Sequence, residues 1–342
     1  MRLPKTLILA ALLLVAGILS VPQLAQAQRL RRTKASARAV LWREPGNIPS
    51  RNLLYGPGSP ELAPVAPFTF LDESKKGESP KFDVRDARGV VWTVKLGEEA
   101  QSETVSTRLV WAMGYFAEEA YYFDEVRIEN LPRLSRGRDF VLTDGTVVGA
   151  RFEPERKHLT EGPTWDWEEN PFRGTRQLSG LKILMILLNN YDARKENNKI
   201  FYSRAAATGR YEALHLVSDL GATLGRAGGL GGKRTKNDLK DFLSTRFVMG
   251  VEDGSVEFDY DTRPSKLGHF SIVYLPYYRG EVKKEKAMRG IPVAHARWIG
   301  SLLTQLTDEQ LRDAFRAAQY NEETIDGYVR ALRERINQLT QL

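Results

Sequence analysis

The sequence predicts an α+β protein with two lobes, a small β-rich lobe followed by a larger, mainly helical one. Two segments of alternating polarity, 81–86 (KFDVRD) and 90–97 (VVWTVKLG), predict adjacent strands joined by a turn at 87–89. Apolar residues then recur at helical spacing over 105–116, and most of the C-terminal third has the same periodicity. Strands followed by runs of helices are typical of the α+β class.

The composition sets limits on the class of protein. The chain has 342 residues, 42% hydrophobic and 10% aromatic, which indicates a folded protein long enough for two domains or one two-lobed domain. It has no cysteine, which excludes a disulfide framework, a zinc–thiolate site and thiol catalysis. Lys and Arg number 50 against 43 Asp and Glu. This excess is modest and scattered, and we expect no nucleic-acid partner.

Residues 1–27 have the three-part layout of a secretory signal peptide. Arg2 and Lys5 precede an apolar run at 7–19, and small residues at Ala25 and Ala27 mark a cleavage site. The apolar run is too short for an ordinary membrane span. We therefore expect cleavage after Ala27 and export to the periplasm or the extracellular space; an uncleaved inner-membrane anchor is the alternative.

A basic arm and a Pro/Gly-rich extension are predicted over 28–75. The arm from Arg29 to Arg38 has five basic residues and no acidic one, so it is either solvated or bound to an anionic envelope surface such as lipid headgroups. The stretch 45–67 is rich in Gly and Pro, which indicates an extended linker or a strap over a domain. The N-lobe is predicted over 76–150 and the helical C-lobe over 151–342.

Two segments in the predicted C-lobe carry residues suited to phosphoryl transfer. Asp192 ends an apolar helix and is followed five positions later by Asn197; a second strand then ends in Asp219-Leu220-Gly221. This chemistry needs one carboxylate to orient or deprotonate the attacking hydroxyl, and an amide oxygen and a second carboxylate to hold magnesium. Asp192 suits the first role, and Asn197 and Asp219 suit the second. We expect Gly221 to allow a sharp turn after the metal ligand.

Lys95 lies on a predicted strand, and the helix that follows carries Glu98, Glu99 and Glu103. A strand lysine paired with a glutamate on the next helix is how kinases position the α- and β-phosphates. Glu98 and Glu99 lie at the N-terminus of the predicted helix, where interaction with the helix dipole explains them. Glu103, one turn inside the helix, is the preferred partner of Lys95.

Together, VWTVKLG, NNYDARKENNKIF and HLVSDLGATLG resemble the strand lysine, catalytic loop and metal-binding Asp-x-Gly of the protein-kinase-like superfamily. The similarity is to its atypical branch of phosphatidylinositol-kinase-like and HipA-like enzymes. It implies a bilobal kinase fold that binds ATP and Mg²⁺. Position by position, it assigns Lys95 to phosphate contact, Asp192 to the catalytic aspartate, and Asn197 and Asp219 to magnesium.

The sequence departs from the kinase pattern at three places. Tyr191 stands where many kinases have arginine, the metal motif is Asp-Leu-Gly, and no G-x-G-x-x-G precedes the lysine strand. Gly89 is the only glycine in the predicted hairpin, which leaves the nucleotide-covering loop unassigned. The glycine-rich stretch 221–232 predicts a mobile loop, whose following cations would meet an anionic substrate: Lys233, Arg234 and Lys236.

The sequence therefore favours an exported atypical kinase. It would transfer the γ-phosphate of ATP to a hydroxyl of an unknown acceptor: a protein, a glycan, a lipid headgroup or a small molecule. Because ATP is scarce outside the cytoplasm, a catalytically inactive pseudokinase that acts as an envelope binding or scaffold protein is the alternative. Nucleotidyl transfer with the same residues is a third hypothesis.

Overall fold

The computed structural model describes residues 36–75, 77, 79–155, 159–206, 208–228, 233–262 and 275–342, with the backbone alone at 275–278. The predicted signal peptide, most of the basic arm and residues 229–232 of the glycine-rich stretch lie outside these residues. Within the described ranges, no helix has both the length and the apolar character that a membrane span requires.

The described residues form twelve strands and seven α-helices. The strands are β1 (Arg38–Val40), β2 (Phe68–Ser74), β3 (Lys81–Arg85), β4 (Val91–Leu96), β5 (Tyr121–Glu129), β6 (Thr146–Pro154), β7 (Thr160–Thr164), β8 (Asn198–Arg204), β9 (Tyr211–Val217), β10 (Val248–Glu252), β11 (Ser255–Phe258) and β12 (Ile291–Pro292). The helices are α1 (Glu99–Ala112), α2 (Arg176–Leu187), α3 (Leu239–Leu243), α4 (Leu275–Ala287), α5 (Val293–Leu303), α6 (Asp308–Arg316) and α7 (Glu322–Thr340).

The small lobe is a closed five-stranded barrel with strand order β2-β3-β4-β6-β5. It closes because β2 pairs in parallel with β5 over two residue pairs, Phe68 with Ile128 and Thr69 with Glu129. The alternation in β4 places Trp92, Val94 and Leu96 in the barrel core and Lys95 on the outer face. The barrel spans 68–154, a little beyond the predicted lobe limits of 76 and 150.

Helix α1 packs on the outer face of this barrel and joins the large lobe. The sequence predicts an amphipathic helix, and the helix forms, but it is buried on its polar side as well. Ser102 Oγ donates to the Gly221 carbonyl (2.7 Å), and Ser106 Oγ lies 2.8 Å from Thr223 Oγ1, so the polar side faces the Asp-Leu-Gly segment. The apolar side contributes Val105 and Leu109 to the core of the large lobe.

The large lobe has a helical core and two small sheets. Helix α2 is buried, and the predicted apolar stripe of α7 is buried too: Ile325, Tyr328, Leu332, Ile336 and Leu339. A capping box formed by Thr307 and Gln310 begins α6. Strands β7, β8 and β9 form a sheet with β1. The β10–β11 hairpin was missed from the sequence, although its Asp253-Gly254 turn is a typical hairpin signal.

Residues 41–66, here called the strap, cross from one lobe to the other. Ile48 and Leu53 are fully buried in the core of the large lobe. Gln310 Nε2 donates to the carbonyls of Ile48 and Arg51 (2.8 Å each), and the Arg51 guanidinium donates to the Trp111 carbonyl at the end of α1 (2.7 Å). Of the two structures that the Pro/Gly composition allows, the chain therefore has the strap.

Candidate active site

Five charged side chains meet between the barrel, α1 and the segment after β9. We call Lys95, Glu99, Glu103, Arg151 and Asp219 the buried charge cluster. Lys95 Nζ lies 2.8 Å from Glu103 Oε2, 3.3 Å from Asp219 Oδ1 and 3.5 Å from Glu99 Oε2. The Lys95 side chain is only 12% exposed. The structure thus brings a lysine of the small lobe against an aspartate of the large one.

Strand register and helix packing place these groups. Lys95 on β4 is directly opposite Arg151 on β6, so the two cations share the outer face of the barrel. Glu103 on α1 lies over both of them, with its Oε1 3.5 Å from an Arg151 guanidinium nitrogen. Arg151 is fully buried and also forms an ion pair with Glu153. Two cations therefore compensate the charge of Glu103.

The pKa directions follow from this arrangement. Burial alone would lower the pKa of Lys95, but the surrounding carboxylates, Glu103 first, raise it well above the ordinary lysine value. Burial raises the pKa of Glu103, although Arg151 and Lys95 oppose this. For Asp219, burial would raise the pKa, but Lys95 and the Gly221 N–H hold it below the ordinary value. At neutral pH, Lys95 and Asp219 are therefore an ion pair.

Asp192 and Asn197 meet in the loop between α2 and β8. Asn197 lies in a 3-10 turn, and its Nδ2 donates to the Asp192 backbone carbonyl (2.8 Å) and to Asp192 Oδ2 (2.9 Å). Arg194 Nε lies 2.6 Å from Asp192 Oδ1, and another guanidinium nitrogen donates to Oδ2 at 2.6 Å. Because the Asn197 nitrogen makes these bonds, its amide oxygen is the atom that remains to bind a metal ion.

A cavity of about 590 Å³ opens in front of Asp192. We call it the loop cavity; its charged lining includes Glu99, Asp166, Asp192, Arg194, Lys283 and Lys284. Glu99 connects it to the buried charge cluster, since it lines the cavity and also approaches Lys95. An aromatic pair also lies here: Trp165 and Trp167 are buried and pack edge to face, with Trp167 in the cavity wall.

Sequence reasoning missed Lys81 and the connection between β2 and β3. Lys81 on β3 is paired in register with Lys95. Burial, together with Lys199 and Lys95, lowers its pKa. In the connection itself, Ser79 Oγ donates to Glu99 Oε2 at 3.1 Å, so this segment borders the buried charge cluster. The hairpin at Gly89 lies at the end of β4 that is away from Lys95.

One further expectation needs correction. Gly221 does not have a positive φ; a Cβ there would lie 2.6 Å from the Cβ of Glu99, so glycine permits the close approach of α1 instead. Of the cations after the glycine-rich stretch, Arg234 and Lys236 form ion pairs and also line the loop cavity, whereas Lys233 is exposed. Lys236 Nζ lies 2.9 Å from Glu99 Oε1, and Arg234 forms an ion pair with Glu281. His215, buried and hydrogen-bonded to the Ala213 carbonyl (2.9 Å), is a core residue.

No protein-family model matches the chain, and no curated protein matches it either. A solved structure of the Helicobacter pylori proinflammatory kinase CtkA is similar over 81% of this chain and 98% of that one, with 12% identity and a TM-score of 0.45. A structure of the Golgi casein kinase with Mn and ADP bound is similar over 82% of this chain and 73% of that one, with 12% identity and a TM-score of 0.35. A second structure of the Golgi casein kinase has 11% identity and the same TM-score, 0.35.

The chain has a bilobal, kinase-like α+β fold. At these scores the similarities carry no weight of their own, and the assignment depends on the molecule itself. The small lobe is a five-stranded sheet with one long helix, and the larger lobe is mainly helical. Lys95 from β4, Glu103 from α1 and Asp219 after β9 meet where the two lobes join.

Proposed function

We propose that the chain transfers the γ-phosphate of ATP, with Mg²⁺, to a hydroxyl of an acceptor. The observation that carries the proposal is the contact of Lys95 with both Glu103 and Asp219, at 2.8 and 3.3 Å. Phosphoryl transfer is catalysed almost entirely by positioning and by compensation of negative charge. A lysine held between the lobes, next to a carboxylate that can bind a metal, supplies both.

The oxygen donors present suit a hard cation. Asp219 offers a carboxylate, and its side chain is 41% exposed; Asn197 offers its amide oxygen. Carboxylate and amide oxygens are ligand types that Mg²⁺ prefers. When bound, the ion would compensate the charge of the nucleotide phosphates. Lys95 would bind the same phosphates, and Glu103 would hold Lys95 in place. Lys81, on the same face as Lys95, would add a second cation toward the triphosphate.

Asp192 would act on the acceptor. Its carboxylate faces the loop cavity, which is large enough for a hydroxyl-bearing group of an acceptor. The acceptor oxygen forms a bond to the γ-phosphorus as the bond from that phosphorus to the β–γ bridging oxygen breaks. The acceptor proton passes to a carboxylate oxygen of Asp192, and ADP leaves with the bridging oxygen. Asn197 and Arg194 would orient that carboxylate.

The proposal includes the location of the protein. We propose that residues 1–27 direct export to the periplasm or the extracellular space and that the arm from Arg29 to Arg38 contacts an anionic envelope surface. Both parts depend on the sequence pattern alone.

The second candidate is an inactive pseudokinase that serves as an envelope binding or scaffold protein. One observation favours it: both carboxylate oxygens of Asp192 are engaged by Arg194 at 2.6 Å, which lowers the availability of the base. Lys95 is likewise saturated by three carboxylates. The two candidates differ in turnover, since only an active kinase releases ADP.

Incubation with γ-labelled ATP and Mg²⁺ tests the proposal, with ADP release and label on the protein or in inorganic phosphate as readouts. We expect Asp192→Asn to keep nucleotide binding but to lower turnover about 100-fold or more, because it removes the general base. Lys240→Met, an exposed substitution on α3, is the matched control. Equal turnover in wild type and Asp192→Asn would refute the catalytic role, and ATP binding without turnover in wild type would favour the pseudokinase.

A further inference from the structure

A second cavity, of about 490 Å³, lies beside the loop cavity, and Trp167 and Ala287 line both. We call it the cationic cavity. One wall comes from the start of α2 and the residues before it, and the other from the end of α4 and the residues after it. Four cations line it against two carboxylates, Glu168 and Glu169: Arg173, Lys182, Lys286 and Arg289.

These cations have little compensation within the protein. In the part of the chain that the structure describes, Arg173, Lys182 and Lys286 form no ion pair, and Arg289 reaches only Glu285, at 3.9 Å. This differs from the loop cavity, where Arg194, Lys283 and Lys284 are each paired with a carboxylate. A concave site with an excess of unpaired cations attracts anions.

Of the four cations that line the cationic cavity, Lys182 is half-buried and the other three are exposed. Lys182 lies on α2, and burial lowers its pKa, with Arg173 adding to the effect and Glu168 opposing it. One turn before it, Ser179 Oγ lies 3.0 Å from His295 Nδ1 in the same wall. A half-buried lysine next to an arginine is costly while both are charged, and an anion between them would relieve that cost.

The wall shared by the two cavities contains an unsatisfied donor. Trp167 is 4% exposed, and its Nε1 has no hydrogen-bond partner among the described residues. A buried indole N–H without an acceptor is unfavourable, and such groups in native proteins usually have a ligand or water as partner. An anionic ligand that spans the two cavities would provide the missing acceptor.

We propose that the cationic cavity is a subsite for an anionic group of the acceptor, a phosphate or a carboxylate, whose hydroxyl lies in the loop cavity near Asp192. The inference depends on the proposed function for the identity of the ligand as an acceptor, but the anion site itself does not. It specifies the substrate class as a hydroxyl compound that also carries a phosphate or a carboxylate group. Bidentate contact from Arg173 and point contacts from Lys182 and Lys286 suit either anion.

Calorimetric titration with inorganic pyrophosphate and, separately, with citrate tests the subsite. EDTA is present, so that magnesium cannot recruit the anion to Asp219. We expect wild type to bind at least one of the probes with one equivalent, and which of them binds distinguishes a phosphate from a carboxylate group. Arg173→Met/Lys182→Met should weaken binding at least tenfold, because two of the four cations that line the site are lost.

Three controls make the outcome specific. Lys182→Arg keeps the charge and should keep most of the affinity, which separates lost charge from disturbed packing of α2. Lys240→Met should bind as wild type does. Asp219→Asn should also retain binding, because it alters only the buried charge cluster. The subsite is refuted if neither probe binds to wild type, or if the double variant binds as wild type does. Tighter binding in Asp219→Asn, which removes a carboxylate beside Lys95, would place the anion in the other site and refute it too.

This result is separable from the proposed function. Anion binding that is lost in the double variant, in a protein that shows no ADP release, would refute the kinase proposal and retain the subsite. ADP release in a protein that binds neither probe would retain the kinase proposal and refute the subsite. If both hold, the double variant should raise the KM of an anionic acceptor without changing the Mg²⁺-dependent affinity for ATP.

Discussion

Lys95 and Lys284 are almost equally exposed, at 12% and 10% of their side chains, but their electrostatic environments are opposite. Three carboxylates surround Lys95 in the buried charge cluster, and its pKa is raised. In the wall of the loop cavity, Lys284 has one close carboxylate, Glu281 at 2.7 Å, and burial lowers its pKa, with Arg234 adding to the effect. Lys182, in the neighbouring cavity, is shifted in the same direction as Lys284.

The difference in charge around these lysines indicates which kind of ligand each side of the molecule can bind. On the side of Lys95, negative charge is in excess, so a divalent cation together with a nucleotide restores the balance. On the side of Lys182, positive charge is in excess, so an anion restores it. A polyanionic nucleotide without its metal would meet Glu99, Glu103 and Asp219, whereas a simple anion would not encounter such a cluster in the cationic cavity.

The largest effect on this comparison should come from Arg151, which is fully buried against Glu103. Arg151→Met leaves Glu103 with one cation instead of two, and removal of one partner of a buried ion pair costs about 3–5 kcal/mol. Arg194→Met, in a pair that is 41% and 20% exposed, should cost about 1 kcal/mol or less. Urea unfolding of the two variants measures the difference in free energy.

The double variant Arg151→Met/Glu103→Gln provides the control for Arg151. Because it also removes the uncompensated carboxylate, it should recover part of the stability that Arg151→Met loses. Equal stability of Arg151→Met and Arg194→Met would show that the buried charge cluster has no special contribution and would remove the contrast between the two regions.

An intermediate effect is expected on nucleotide affinity. Lys95→Met should weaken Mg²⁺-dependent ATP binding by about 30-fold, because a desolvated charge contact of this kind contributes roughly 2 kcal/mol. Lys284→Met, at matched exposure, should leave ATP affinity within about twofold of wild type, since Lys284 does not contact the cluster. Lys81→Met should lie between the two. Calorimetry with folded variants measures all three, and a greater loss in Lys284→Met than in Lys95→Met would contradict the assignment of the two sides.

The smallest effect is a difference in titration. Only the neutral amine reacts with an acylating reagent, so a lysine whose pKa is lowered becomes reactive at lower pH than one whose pKa is raised. Across a pH series from 7 to about 11, we expect Lys284 to be acetylated at lower pH than Lys95. Peptide mass spectrometry follows both residues in one sample. If both lysines are acetylated over the same pH range, or if Lys95 is acetylated at lower pH than Lys284, carboxylate compensation does not distinguish them.

Much of the fold was predictable because its signals are local. The alternation of 81–86 and 90–97 determines β3 and β4, and the Thr307–Gln310 capping box determines where α6 begins. The pairing of Lys95 with Glu103 could also be inferred, since it requires only a strand, a turn and one helical turn. These features depend on residues that are close in sequence.

The features that were missed depend on long-range packing. Arg151 is 56 positions from Lys95 and has no pattern of its own; only the β4–β6 register brings it to the cluster. The role of Gly221 depends on the approach of Glu99, which no local conformation reveals. Lys81 was correctly predicted to lie on a strand, but its position next to the cluster was missed because β2 and the β2–β3 connection were not recognised. The cationic cavity likewise needs α2 and α4 to be adjacent.

Titration calorimetry of ATP with Mg²⁺ against wild type, Asp219→Asn and Asp192→Asn tests most directly whether groups from both lobes hold a nucleotide. The account predicts Mg²⁺-dependent binding in wild type, its loss in Asp219→Asn, and its retention in Asp192→Asn. Absence of binding in wild type, or equal binding in wild type and Asp219→Asn, would contradict it.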